Sequence, residues 1–119
     1  MALTKITHSV LEDRYTKASA KTSQSAMTLD TATADVFTWT SAGDNAISFS
    51  NVKIGSTCTV VITGGGGSST VSLSNINGSS GTFNKLGGTY DDTSSTKNFI
   101  EFKFISTSEA WYQISQIAS

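Results

Sequence analysis

Histidine and cysteine occur once each in this 119-residue chain, as His8 and Cys58, and that scarcity removes most site chemistry at the outset. A single cysteine cannot close an intrachain disulfide, and the usual zinc ligand sets cannot be assembled from one histidine and one cysteine. A Ser-His-Asp arrangement would have to recruit His8, and no serine stands in a nucleophile-elbow pattern. Charge is also sparse: 14% of residues are charged and the net charge is −1, so there is no basic stripe for nucleic acid or anionic lipid and no acidic tail. No run approaches the roughly 18 apolar residues of a membrane span, and "MALTKITHSV" lacks the apolar core of a secretory signal. These absences predict a non-enzymatic chain with no cofactor or metal and no nucleic-acid or membrane partner, made in a cytoplasm. The length suits one domain.

Proline is absent, and serine and threonine make up about a third of the residues, a bias that in a short chain can mean disorder. The spacing of aromatic and β-branched residues argues otherwise. From Met27 the period is two, in "AMTLD", "DVFTWT", "NAISFS", "TCTVVIT", "TVSLS", "NFIEFKFI" and "AWYQISQI", with a further run at "GTFNKL". Between them stand Ser-, Gly-, Asn- and Asp-rich turns such as "TSAGDN", "NINGSSG" and "STSE". The pattern predicts an all-β domain over 26–119: an antiparallel β-sandwich, jelly-roll-like, of about seven or eight strands.

Alternation assigns faces. Ile100, Phe102 and Phe104 share one side of their run and are core candidates, as are Phe37 with Trp39, Ile47 with Phe49, and Tyr112 with Ile114. The stretch "TVVITGGGGSSTVSLS" reads as a hairpin in which Cys58, Val60 and Ile62 pair with Val71 and Leu73 across a glycine tip. The phosphate alternatives fail, because no lysine follows the glycines and the next segment is a strand rather than a helix. The last two runs, joined by "STSE", read as a terminal hairpin.

Residues 1–25 are different in kind. Ser9 and Glu12 form a capping box that opens a short helix-compatible stretch to about Lys17. The apolar set of this arm, Leu3, Ile6, Val10, Leu11 and Tyr15, is too small to stand alone, so the arm is expected to anchor on its own domain, another copy or a larger partner. Phe99 and Ile105, on the outward side of their strand, are candidates for a subunit contact.

Two further groups carry possible chemistry. Asp91 and Asp92 could serve a calcium site or glycoside hydrolysis, but adjacent acids in such a loop are ordinarily solvated turn residues. Trp39, Trp111 and Tyr112 could stack on a sugar, aided by Asp91, Asp92 and Asn45, against core packing as the ordinary role of such aromatics.

The opening "MALTKITHSVLEDRY" resembles the short leader of many tail-fibre and tailspike chains of tailed bacteriophages. From Met27 to Ala118 the order is similar to the β-rich modules of such fibres: "NVKIGSTCTVVIT", a glycine-containing turn, then a hydrophobic strand before a Trp-Tyr strand. The resemblance implies a small virion structural protein, a homotrimeric fibre or knob mounted through its arm on other capsid or tail proteins. A capsid decoration protein that stabilises the head lattice and a module that recognises host-surface glycan are the alternatives.

Overall fold

A computed structural model describes residues 18–20 and 26–117. The capping box and the five apolar residues of the arm lie outside the described residues. Ten strands are described: β1 (Ala18–Ala20), β2 (Met27–Asp30), β3 (Val36–Thr40), β4 (Asn45–Ser50), β5 (Thr57–Thr63), β6 (Val71–Ile76), β7 (Ser79–Ser80), β8 (Thr82–Gly87), β9 (Lys97–Phe104) and β10 (Glu109–Ile117). Every run read from the period-two pattern is a strand. Two short ones, β1 and β7, escaped that reading, and β1 brings three residues of the expected arm into a sheet.

The chain is all-β, but the expected antiparallel arrangement is not what the strands adopt. They form a six-stranded sheet in the order β1-β3-β5-β9-β10-β8 and a four-stranded sheet in the order β2-β4-β6-β7. From β1 to β6 the chain changes sheet at every strand, so each strand runs the same way as the one two places earlier and pairs with it in parallel. The result is a coil: Phe37 lies beside Val60, Trp39 beside Ile62, and Leu29 beside Phe49. Antiparallel pairing appears between β5 and β9 and in the β9–β10 hairpin, where the "STSE" turn is as expected. It also joins β6 to β7.

The glycine hairpin is corrected by the same topology. β5 and β6 belong to different sheets, so Cys58, Val60 and Ile62 are neighbours of Phe102, Ile100 and Asn98 on β9 and do not pair with Val71 or Leu73. Residues 64–70 turn the chain from one sheet to the other. The tight hairpin is elsewhere, at Asn77 and Gly78, both at positive φ (54° and 83°), which suits an Asn-Gly pair between β6 and β7.

The core lies between the sheets. Phe37, Ile47, Val60, Ile62 and Phe104 are completely buried, and β9 reads buried at Asn98, Ile100, Phe102 and Phe104 with exposed residues between, as its alternation predicted. Phe49, from the four-stranded sheet, meets Phe102 and Phe104 edge-on, with ring centroids 4.8 and 5.2 Å away. Edge-on packing sets the positive rim of one ring against the negative face of the next. Cys58 is buried among these residues, in the apolar role its neighbours suggested.

Candidate functional site

The glycine segment is built around a carboxylate. The N–H groups of Gly65, Gly67 and Ser69 donate to Asp92 at 3.2, 3.1 and 2.8 Å, and the Tyr90 hydroxyl donates to Asp92 Oδ1 at 2.7 Å. A run of N–H groups converging in this way is an anion nest, and here the chain's own Asp92 fills it. The backbone must come close to do so. A Cβ on Gly64 would overlap the Thr93 carbonyl and one on Gly65 the Ser41 carbonyl, while Gly66 sits at φ 82°. Glycine is therefore required by contact and by conformation together.

Burial opposes ionisation of Asp92, but the Tyr90 hydroxyl and the N–H groups of Ser69, Gly65 and Gly67 outweigh it and hold the carboxyl at about 2. Burial, then the hydrogen bond to Asp92, pushes the Tyr90 phenol up to about 12. Asp91 is exposed and is also lowered, by the side chain and then the N–H of Thr93. The two acids thus do separate jobs. Asp92 binds the corner together, whereas Asp91 caps a local turn through the Thr93 N–H at 2.9 Å. Among the described residues no cluster of three His, Cys, Asp or Glu side chains could hold a metal ion.

A second polar knot adjoins this corner. The Trp39 indole N–H donates to Asn45 Oδ1 at 2.9 Å, and Asn45 Nδ2 donates to Ser41 Oγ and the Thr70 carbonyl, both at 3.1 Å. Trp39 is 5% exposed and Asn45 fully buried, so neither offers a surface to a sugar. This residue pair fastens the start of β4 to the end of β3.

The other aromatics divide between the two faces of the six-stranded sheet. Tyr112 faces inward and stacks on Phe102 with centroids 5.4 Å apart. Trp111 faces outward and is 43% exposed, on the same surface as Phe99 and Ile105 at 39% each. Alternation had put Phe99 and Ile105 on this side, and Trp111 had been a sugar-contact candidate; the register sets Trp111 beside Lys103, at the Ile105 end of β9, and Phe99 farther along the strand beside Val61 and Ser115. Leu86, 65% exposed on β8, joins Ile105 and Trp111 in lining a shallow groove of about 460 Å³. It went unnoticed because "GTFNKL" is only weakly periodic.

This outer face is ordered by its polar residues. Glu109 Oε2 accepts both the Trp111 indole N–H at 2.9 Å and Asn84 Nδ2 at 3.0 Å. Gln113 Nε2 donates to Glu101 Oε1 at 3.0 Å, and Lys103 Nζ to the Gly55 carbonyl at 2.8 Å. Trp111 is consequently held with its N–H satisfied and much of its ring uncovered, the condition of a rigid contact anchor.

The proposed sugar-contact set is accordingly dispersed: Trp39 is in the core, Trp111 on the outer face, Tyr112 on the inner face, and Asp91 and Asp92 at the glycine corner. The subunit-contact pair Phe99 and Ile105 shares one face. Comparison with models of protein families, with curated proteins and with solved structures finds no match to this chain.

Proposed function

We propose that this protein is a non-enzymatic structural component of a bacteriophage particle, a small fibre or knob that assembles as a homotrimer and is mounted through residues 1–25. The observation that carries the assembly is the outer face of β8, β9 and β10, where Phe99, Ile105, Trp111 and Leu86 stand exposed on one sheet surface. Isolated exposed apolar residues are ordinary, whereas Ile105 and Leu86 grouped round a pre-ordered Trp111 mark a contact surface that Phe99 extends along β9. A further copy of this chain suits it, because the face carries acids and bases together, Glu101 and Glu109 with Lys97 and Lys103, so that the acids of one copy can meet the bases of the next.

The parallel rungs from β1 to β6 read as a short β-solenoid, an architecture that grows along one axis and suits a fibre. Light scattering and native mass spectrometry of the full chain test the reading. A trimer is expected, with the double variant Ile105→Asp, Trp111→Ala shifting it to monomer while the circular dichroism stays β-rich. A wild-type chain that is monomeric at tens of micromolar overturns it.

A further inference from the structure

The two sheets end at different places. Beyond β6 the four-stranded sheet continues only as the two-residue β7, while the six-stranded sheet carries on through β9, β10 and β8. Part of the inner face of β10 and β8 is therefore left without a facing strand. An open cleft of about 470 Å³ results, with Val71 and Leu73 on one wall and Tyr112 and Ile114 on the other. This lies on the opposite side of the sheet from the Trp111 surface. Its volume falls within the range of roughly 300–1,000 Å³ typical of small-ligand sites.

Its lining has a definite chemical character. The walls are largely apolar, with four aromatic residues, Phe83, Tyr90, Phe102 and Tyr112, of which Tyr112 stacks on Phe102. Hydroxyl side chains of Ser69 and Thr89 also line it. Lys85 is the one charged residue lining the cleft, and it sits directly beside Tyr112 in the β8–β10 register, on the same inner face. No hydrogen bond or ion pair engages its ammonium among the described residues.

From this combination we infer that the cleft is a binding site for an acidic sugar, a pyranose ring bearing a carboxylate. The C–H face of the ring matches the Tyr112 and Ile114 wall, its hydroxyls match Ser69 and Thr89, and its carboxylate matches Lys85. A wholly apolar occupant would make no use of the Lys85 ammonium or the hydroxyls. Asp92, the nearby acid, remains ionised, but its carboxylate is turned into the N–H groups of the glycine nest and does not line the cleft. This site is independent of the proposed assembly through the outer face.

The test is calorimetric titration and saturation-transfer NMR of the full chain with a glucuronic-acid disaccharide and with its neutral glucose counterpart. The acidic sugar is expected to bind, with saturation transferred from the protein to the C–H protons of its ring. Lys85→Gln should weaken it about tenfold or more, as loss of a charge-assisted hydrogen bond implies, with an unchanged melting temperature. Lys53→Gln, the same charge change outside the cleft, should leave binding as it was. Failure of the acidic sugar to bind at millimolar concentration overturns the inference. So does equal binding by wild type and Lys85→Gln, or equal affinity for the acidic and neutral sugars.

Discussion

The Tyr90 hydroxyl donates to Asp92 Oδ1 at 2.7 Å; burial and then this bond push the phenol up to about 12, whereas burial works against the carboxyl's ionisation and the bond, with the N–H groups of Ser69, Gly65 and Gly67, holds it at about 2. Through the neutral range the tyrosine is therefore a protonated donor and the aspartate an ionised acceptor. The bond lies within the loop before β9 and orients the carboxylate, and the N–H groups of Gly65, Gly67 and Ser69 then join that loop to the corner after β5.

Replacing Asp92 with Asn removes the charge that the three N–H groups converge on and turns an amide NH₂ toward them. Urea denaturation should show Asp92→Asn destabilised by about 2–3 kcal/mol, the range for losing hydrogen bonds to a charged group. An equally stable variant would mean that the nest does not depend on the carboxylate.

The acid limb of stability should follow the same group. The Asp92 carboxyl lies at about 2 in the folded chain against an ordinary 3.8, so its contribution is fully present above about pH 4 and is lost as the pH falls toward 2. Stability measured between pH 5 and pH 2 should fall in the wild type and fall less steeply in Asp92→Asn. Parallel curves would remove Asp92 from the explanation.

Two glycines provide a paired contrast. Gly64→Ala drives a methyl group into the Thr93 carbonyl and the Asp92 backbone, whereas a Cβ on Gly43 meets nothing within 4 Å. The first should lose about 2 kcal/mol or more, as an overpacked site does. The second should stay within about 0.5 kcal/mol of wild type. Thermal melts of the two variants side by side decide the matter.

Phe49 occupies the centre of the aromatic cluster and is 1% exposed. Phe49→Ala should cost about 3–5 kcal/mol through lost burial and the cavity left behind. Denaturant midpoints at unchanged slope would register it.

The two tryptophans should separate in solution. Trp39 is 5% exposed and Trp111 43% exposed, so acrylamide should quench one class of emission readily and the other poorly. Trp111→Phe should abolish the readily quenched class in protein dissociated to monomer. If Trp39→Phe abolished it instead, the assignment of the two rings would be reversed.

How far the sequence reached is clearest at β9. Its strict alternation gave Ile100, Phe102 and Phe104 as core and Phe99 and Ile105 as surface, because in a strand with one face buried the period fixes the side of every residue. At the glycine segment the same reasoning failed. A glycine turn between two β-branched runs suits a hairpin or a corner between sheets equally well, and only pairing partners distant in sequence tell them apart. Coiling was hidden for a related reason: the rungs are unequal, with Met27 and Ile47 separated by 20 residues but Ile47 and Leu73 by 26, so no fixed period betrays them.

By itself, then, the sequence determined that the chain is all-β, where its longer strands run and which side of each is apolar. Tertiary structure decided the rest. It set which strands pair and in what direction, enclosed Asp92 in the glycine nest, placed Trp39 in the core and Trp111 on the surface, and left β10 and β8 uncovered beyond β6. Alternation is a local property, fixed by the two-residue pleat. Pairing, nests and clefts depend on long-range contacts, which no short stretch of sequence contains.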